Sequence, residues 1–295
     1  MSDFYTLGVD IGGSHIACQI VCLQNHERIE KSYVEVKIAE NESAYALLHT
    51  WERAIRKCVK ESGCHNVSGV GVAMPSPFDF VHGSALADHK FAALKGMNLR
   101  EEIHWMSCIL PSRIRFTNDA AAFGMGVWQL TGGKSSHLVC VTLGTGFGAC
   151  FVVDGYTTTF GPGLPVGGEL WDHPFRDGIA EDYVSTRWFE KRFAELTGES
   201  IVGVKGMIDF YEAGRYVKEC DEIFKEFGVN FADIMTPFLL RFHADKLVIG
   251  GGMALSASYF LPQIEHFLQL RGVEVEVSAF TDTTAAIITG TSLMF

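Results

Sequence analysis

The chain has 295 residues, long for one core and short for three, so one large or two medium domains are expected, with two favoured. Its 24 Lys and Arg against 35 Asp and Glu give a formal net charge of −11. That balance leaves no basic footprint for nucleic acid or an anionic membrane, so any bound phosphate has to be held by backbone amides, a metal and few cations.

The N-terminal MSDFYTLGVD has no basic segment ahead of a long apolar one, and no later stretch is long and apolar enough to read as a membrane span. Residues 4 to 23 read as two strands joined by a glycine turn, and VEVKI (34 to 38) alternates as a third strand. A helix is expected over 43 to 61, stopped by Gly63, followed by a strand at 67 to 74 that runs into Pro75-Ser76-Pro77. The plan then repeats: a strand at 114 to 117, a helix from Ala120 to Gln129, and a two-strand hairpin at 138 to 153. The stretch 176 to 245 is polar and helical in period, KLVI (246 to 249) is a strand entering Gly250-Gly251-Gly252 and a helix, and 281 to 294 reads as a closing helix. Eight scattered cysteines without CxxC pairs predict reduced thiols packed as small hydrophobes in a cytoplasmic chain.

Glycine makes up 31 of 295 residues, and the excess sits at strand ends. VDIGGSHIAC (9 to 18) and VTLGTGFGAC (141 to 150) make nearly the same move from strand through glycines to strand, but only the first carries an acid, Asp10. Each alone is explained by a tight hairpin turn. GxxxxGK[ST] is absent, and GTGFG (144 to 148) is too short and opens onto a strand rather than a helix, which disfavours a dinucleotide fold. A matched pair of hairpins suits a polyphosphate gripped by backbone amides and by the hydroxyls of Ser14 and Thr145, with Asp10 on the side of a magnesium ion. Gly250, Gly251 and Gly252 lie between a strand and a helix, a corner suited to the nucleoside and otherwise an ordinary tight turn. TNDAAAFG (117 to 124) places Asn118 and Asp119 where a strand meets a helix. Capping explains both residues, and so does a base that takes the proton of an attacking hydroxyl; the two roles are compatible.

The ordered set DIGGS (10 to 14), GVAMPSPFD (71 to 79), NDAAAFG (118 to 124), VTLGTGFGACFVVDG (141 to 155), GGE (167 to 169), VIGGG (248 to 252) and AAIITGT (285 to 291) resembles the ROK family of sugar kinases and sugar-responsive repressors. The resemblance covers essentially the whole chain. It implies two actin-like (ribonuclease H-like) ATPase domains, of the class shared with hexokinase and the heat-shock chaperone ATPases, with a nucleotide and sugar cleft between them. The expected division is 1–117 plus 281–295 against 118–280, the latter with a helical insertion. The implied activity is ATP-dependent transfer of the γ-phosphoryl group to a hydroxyl, the 6-hydroxyl, of a hexose or N-acetylhexosamine, with Mg²⁺ held by Asp10 directly or through water. Asp119 matches the catalytic base, and Asn118, with Pro75 and Ser76 of the proline loop, lies on the substrate side. Asp10, Gly12, Gly13 and Ser14 match the first phosphate motif, and Gly144, Thr145 and Gly146 the second. Glu169 matches the Glu of the family's GEIGH, and Glu181 the Glu closing its GCLE segment, both facing sugar hydroxyls. A homodimer is also implied.

Three departures stand out. Asp172 replaces the last residue of GEIGH, with His173 one place late; the CxCGxxGC segment is missing, so no structural zinc is expected; and ADHKF (87 to 91) stands where the family has its PN…W segment. Within ADHKF, His89, Lys90 and Phe91 read as ordinary loop residues. The competing function is a sugar sensor without useful chemistry. DNA-binding repression is disfavoured, because the first phosphate motif begins almost at the start of the chain and the charge is negative. A chaperone-type or actin-type ATPase is also disfavoured, because Asn-Asp with two glutamates suits a polyol acceptor better than water.

Overall fold

The structure is a computed structural model that describes residues 4–39, 41–86, 91–161 and 163–295. Of the segment ADHKF, residues 87–90 lie outside the described set, while Phe91 is buried with its ring edge-on to Trp51, centroids 5.8 Å apart. Two compact units divide the chain, the first Met1–Gly132 with Thr284–Phe295 and the second Gly133–Thr283.

In the first unit, β1 (Tyr5–Ile11), β2 (His15–Cys22) and β3 (Val34–Lys37) form an antiparallel meander. Helix α1 (Ala44–Ser62) carries the chain across to β4 (Val67–Met74), parallel to β1. The minor strands β5 (Phe78–Asp79) and β6 (Ser84–Ala85) and helix α2 (Leu99–Ser107) then lead to β7 (Ile114–Asn118), parallel to β4, for a sheet order of β3-β2-β1-β4-β7. Helix α1 begins where the Ser43 hydroxyl accepts the Ala46 N–H at 3.3 Å and ends at Gly63, whose φ of 63° is the left-handed stop that glycine accepts without strain. Its buried stripe of Leu47, Trp51, Ala54, Ile55 and Cys58 packs with Leu7, Val9 and Ile11 of β1 and Val70, Val72 and Met74 of β4.

Side chains alternate across a strand, so the intervening Gly8 and Gly71 face the other way, toward α9 (Thr283–Ser292). Helix α3 (Asp119–Leu130) packs on β4 and β7 and meets α9 where Gly126 and Gly290 let the two backbones touch. A Cβ at Gly126 would stand 1.8 Å from the Ala286 carbonyl oxygen, and one at Gly290 1.8 Å from that of Ala122. This packing keeps α3 with the first sheet, so the units part at Gly132 and not after Thr117.

The second unit repeats the pattern. Strands β8 (His137–Leu143), β9 (Phe147–Val153) and β10 (Tyr156–Thr158) form the meander, and β13 (Lys246–Gly250) and β14 (Glu276–Ala279) add in parallel, for the order β10-β9-β8-β13-β14. The crossover from β10 to β13 holds the small hairpin β11 (Pro174–Phe175) and β12 (Gly178–Ile179), then α4 (Glu181–Val184), α5 (Thr186–Thr197), α6 (Gly203–Glu212) and α7 (Val217–Phe242). Helix α8 (Ala257–Leu270) joins β13 to β14. Phe227, Phe231 and Phe238 of α7 pack with Val139, Val141, Phe151 and Ile249 of the sheet. The α/β class with a doubled strand plan is thus what the chain adopts, and β14 is a strand the sequence reading passes over. All eight cysteines are free and six are buried; burial pushes the Cys58 and Cys150 thiols up to about 12, so they pack as neutral apolar groups. No helix among the described residues is long and apolar enough to cross a membrane.

Gly126→Ala and Gly290→Ala are expected to destabilise by about 1–3 kcal/mol or more, because each new methyl meets a fixed backbone carbonyl. Gly252→Ala, whose Cβ would meet nothing within 4 Å, serves as the control. Thermal melts in which all three variants match the parent would show that the α3–α9 contact does not constrain the first unit.

Candidate active site

The parallel register of the first sheet sets Asp10 beside Ala73 and Ala73 beside Thr117; one step on, Met74 lies beside Asn118. Pro75-Ser76 and Asn118-Asp119 therefore leave the carboxyl edge of neighbouring strands together, the edge where open α/β sheets gather their ligands. The Asn118 amide donates to the Ser76 hydroxyl at 3.0 Å, while its Oδ1 accepts the N–H groups of Ala120 (2.9 Å) and Ala121 (3.2 Å). Asn118 is thus the cap of α3, and Asp119 is the first residue of the helix, half-buried, with Oδ1 also 2.9 Å from the Ala120 nitrogen.

Beside this corner the first hairpin turns through Gly12, Gly13 and Ser14, closed by Gly12 N–H donating to the His15 carbonyl at 3.0 Å. Asp10 is only 3% exposed, and a buried carboxylate needs a partner. His15 supplies it: Nε2 lies 3.4 Å from Asp10 Oδ2, with the Ser14 hydroxyl 3.4 Å from Nδ1. The hydrogen bond to Asp10 holds the imidazole above its usual pKa, against the opposing effect of burial. Among the described residues no three His, Cys, Asp or Glu side chains are grouped to enclose a metal ion. One buried carboxylate next to a glycine hairpin suits Mg²⁺, which keeps several waters and takes one or two carboxylates along with substrate phosphates.

In the second unit, Gly144, Thr145 and Gly146 form the matching turn, with Gly144 N–H donating to the Gly146 carbonyl at 3.0 Å. Gly250 pairs with Thr142, which carries the third glycine cluster to the foot of this hairpin. Gly251, at φ 82°, donates its N–H to the Thr283 hydroxyl at 2.8 Å. A Cβ on it would stand 2.3 Å from the Leu143 carbonyl oxygen, so only glycine lets the two turns lie against each other. Gly252 has open space where a side chain would be.

The two glutamates also belong to the second unit. Leu170 is buried, and extended geometry at Glu169 sets Glu169 and Trp171 on one face, where the indole N–H donates to Glu169 Oε2 at 2.9 Å. The Trp171 carbonyl accepts the Glu181 N–H at 3.1 Å, which brings the two glutamate backbones together. Both oxygens of Glu181 have partners: Oε2 accepts the Phe147 N–H at 3.0 Å and Oε1 the Arg187 guanidinium at 2.6 Å.

At the position of the missing CxCGxxGC segment stands the β11–β12 hairpin. Arg176 lies over the rings of Phe175 (5.1 Å) and Tyr183 (5.4 Å), and the Tyr183 hydroxyl donates to Asp177. His173 stacks edge-on against Phe238 of α7, at 5.1 Å. A groove of about 920 Å³ also opens in this unit, but none of the sequence-predicted site residues lines it. Its charges are largely paired across it, Arg192 with Glu195, Glu222 and Glu226, which marks a salt-bridged surface rather than a substrate site.

Four contributors escape the sequence reading: His15, Trp171, Arg187 and Thr283. The alternation Glu169-Leu170-Trp171 is a signal for the second, whereas Arg187 reaches Glu181 across a helix break at Ser185 and leaves none.

Known proteins share sequence and fold with this chain. An N-acetyl-D-glucosamine kinase of Photobacterium profundum is 27% identical over 272 residues, covering 84% of each chain. Its counterpart in Haemophilus influenzae is 25% identical over 271 residues, again 84% of each. A ROK hexokinase from Thermus thermophilus has the same fold, with a TM-score of 0.78 over 98% of this chain and 97% of that one at 19% identity. The ROK family model matches residues 6–169, more than half of the chain, and the protein belongs to the ROK family.

Proposed function

We propose that the chain is an ATP-dependent sugar kinase that transfers the γ-phosphoryl group to the 6-hydroxyl of an N-acetylated hexosamine or hexose, with N-acetyl-D-glucosamine the first candidate. Membership of the ROK family and the two relatives named N-acetyl-D-glucosamine kinase support the class and the sugar. The observation that carries the reading is the Ser76–Asn118–Asp119 corner. Asn118 caps the helix and holds Ser76, so the neighbouring carboxylate is set at a sheet edge on rigid elements.

In the first unit, Asp119 takes the proton of the sugar hydroxyl as that oxygen attacks phosphorus, and the bond from phosphorus to the bridging oxygen of ADP breaks. Asn118 and Ser76, beside Pro75, orient the acceptor, and the amides of Gly12, Gly13 and Ser14 bind phosphate oxygens. In the second unit, Gly144, Thr145 and Gly146 do the same, Gly250, Gly251 and Gly252 receive the nucleoside side, and Glu169 binds a sugar hydroxyl. Mg²⁺, held by Asp10 directly or through water, would neutralise phosphoryl charge. No structural zinc is proposed: no cysteine stands between 151 and 219, and aromatic and guanidinium contacts line the β11–β12 segment. A reducing cytoplasm suits the eight free cysteines.

Coupled ADP release across a panel of hexoses and N-acetylhexosamines should show sugar-dependent turnover; ADP release at one rate with and without every sugar would reject the kinase. Asp119→Asn should lower kcat about 10²–10⁴-fold with nucleotide affinity retained, the range for loss of a positioned base. Unaltered kcat would take that role away from Asp119. Ser76→Ala should raise the sugar KM roughly fivefold, the size of one lost hydrogen bond, and leave the KM for ATP unchanged. Metal analysis of the purified protein should find zinc well below one equivalent; a stoichiometric content would overturn the zinc-free reading.

A further inference from the structure

We infer that Glu181 and Arg187 are a positioning pair for the Gly144–Gly146 phosphate hairpin. The inference rests on the kinase reading only for what that hairpin binds.

Two bonds tie the shoulders of the hairpin to one short segment outside the sheet. The Gly144 carbonyl accepts the Thr186 N–H at 2.8 Å, and the Phe147 N–H donates to Glu181 Oε2 at 3.0 Å. Leu143 and Phe147 are the last pair of the β8–β9 ladder, so these bonds begin where the ladder stops. A three-residue glycine turn has little of its own to hold its amides in one direction, and amides must be aimed before they can bind phosphate without a reorganisation cost. The strap of residues 181–187 supplies that constraint.

The strap brings an electrostatic difficulty, and Arg187 meets it. A carboxylate bonded to the hairpin's own backbone places negative charge next to amides that must accept a polyanion, and partial burial strengthens the repulsion. The Glu181 side chain is 19% exposed, and Arg187 Nη2 lies 2.6 Å from Oε1, so the pair is close to neutral where the phosphates come in. With one oxygen on Phe147 and the other on Arg187, the carboxylate is held in one orientation against the hairpin. The neighbouring carboxylate, Glu169, is fixed separately by the Trp171 indole.

The signs of the effects show whether the pair acts on the phosphate hairpin. Arg187→Ala leaves a bare carboxylate and should weaken a non-hydrolysable ATP analogue about five- to tenfold, with affinity for N-acetyl-D-glucosamine within about twofold of the parent. Adding Glu181→Gln to Arg187→Ala removes the charge but keeps an oxygen for the Phe147 N–H, so nucleotide affinity should partly recover. Glu181→Ala should speed amide hydrogen exchange at Phe147 while the middle of β9 stays protected. Calorimetry and exchange on the full chain read all three. Unchanged exchange at Phe147 in Glu181→Ala would overturn the inference, as would a tenfold loss of sugar affinity in Glu181→Gln with the nucleotide unaffected. Should the parent turn over no sugar, the kinase reading fails on its own, and exchange at Phe147 still decides whether Glu181 holds the hairpin.

Discussion

The parallel pairing of β1, β4 and β7 is the constraint on which the first unit depends. Once Leu7, Val9 and Ile11 face the α1 core, the period of two sends Gly8 and Asp10 to the opposite face. Gly8 there makes room for α9, with a Cβ that would fall 2.9 Å from Ile288, and Asp10 arrives at the end of the same row as a carboxylate 3% exposed. The register then carries the row sideways to Ala73 and Thr117, so the proline loop and the Asn118–Asp119 pair emerge beside it. Burial of Asp10 in turn demands His15, which no pattern of apolar residues announces.

The second unit uses the same strand plan without an acid in the equivalent place. Thr142 holds the next-to-last position of β8, as Asp10 does in β1, and the charge near the hairpin enters from outside through Glu181. That difference accounts for a carboxylate in only one of two matched glycine turns. In the first, the acid belongs to the strand and is compensated by the residue just after the turn. In the second, it belongs to a crossover segment and is compensated by Arg187, six residues further along. Both turns end with a carboxylate and a nitrogen partner close by, His15 in the first and Arg187 in the second, reached by different routes.

Much of the architecture is legible in the residues because it rests on local periodicity. The hairpins at 5–22 and 137–153, the capped helix at 44–62 and the strand at 246–250 lie within a few residues of where alternation and glycine punctuation place them. The run into β14 carries the same alternation, Val273-Glu274-Val275-Glu276-Val277, and is as legible as β3; only its pairing with β13, distant in sequence, leaves no local signal. The phosphate turns are legible because glycine at a strand end has few uses. The strap at 181–187 is not, since its bonds join residues about 34 positions apart, from Phe147 to Glu181, and one of its members is a backbone N–H that any residue could offer.

The crossover between β10 and α5 shows how an exposed segment beside a site takes its order from its ends. A zinc ion holding several cysteines would fix such a loop by coordination; here the turn at Arg176 and Asp177 is fixed by a guanidinium over two rings and a tyrosine hydroxyl on a carboxylate. Such contacts are individually weak and lie at the surface, so they cannot by themselves hold a carboxylate in one place. The segment's order therefore comes from its two ends. At one, Leu170 is buried and Trp171 bonds both Glu169 and the Glu181 backbone; at the other, Val184 and Ser185 are buried and Thr186 bonds the phosphate hairpin. An exposed hairpin suspended between two buried anchors can change its sequence freely, provided the anchors persist, so the carboxylates on either side depend on the anchors and not on the hairpin.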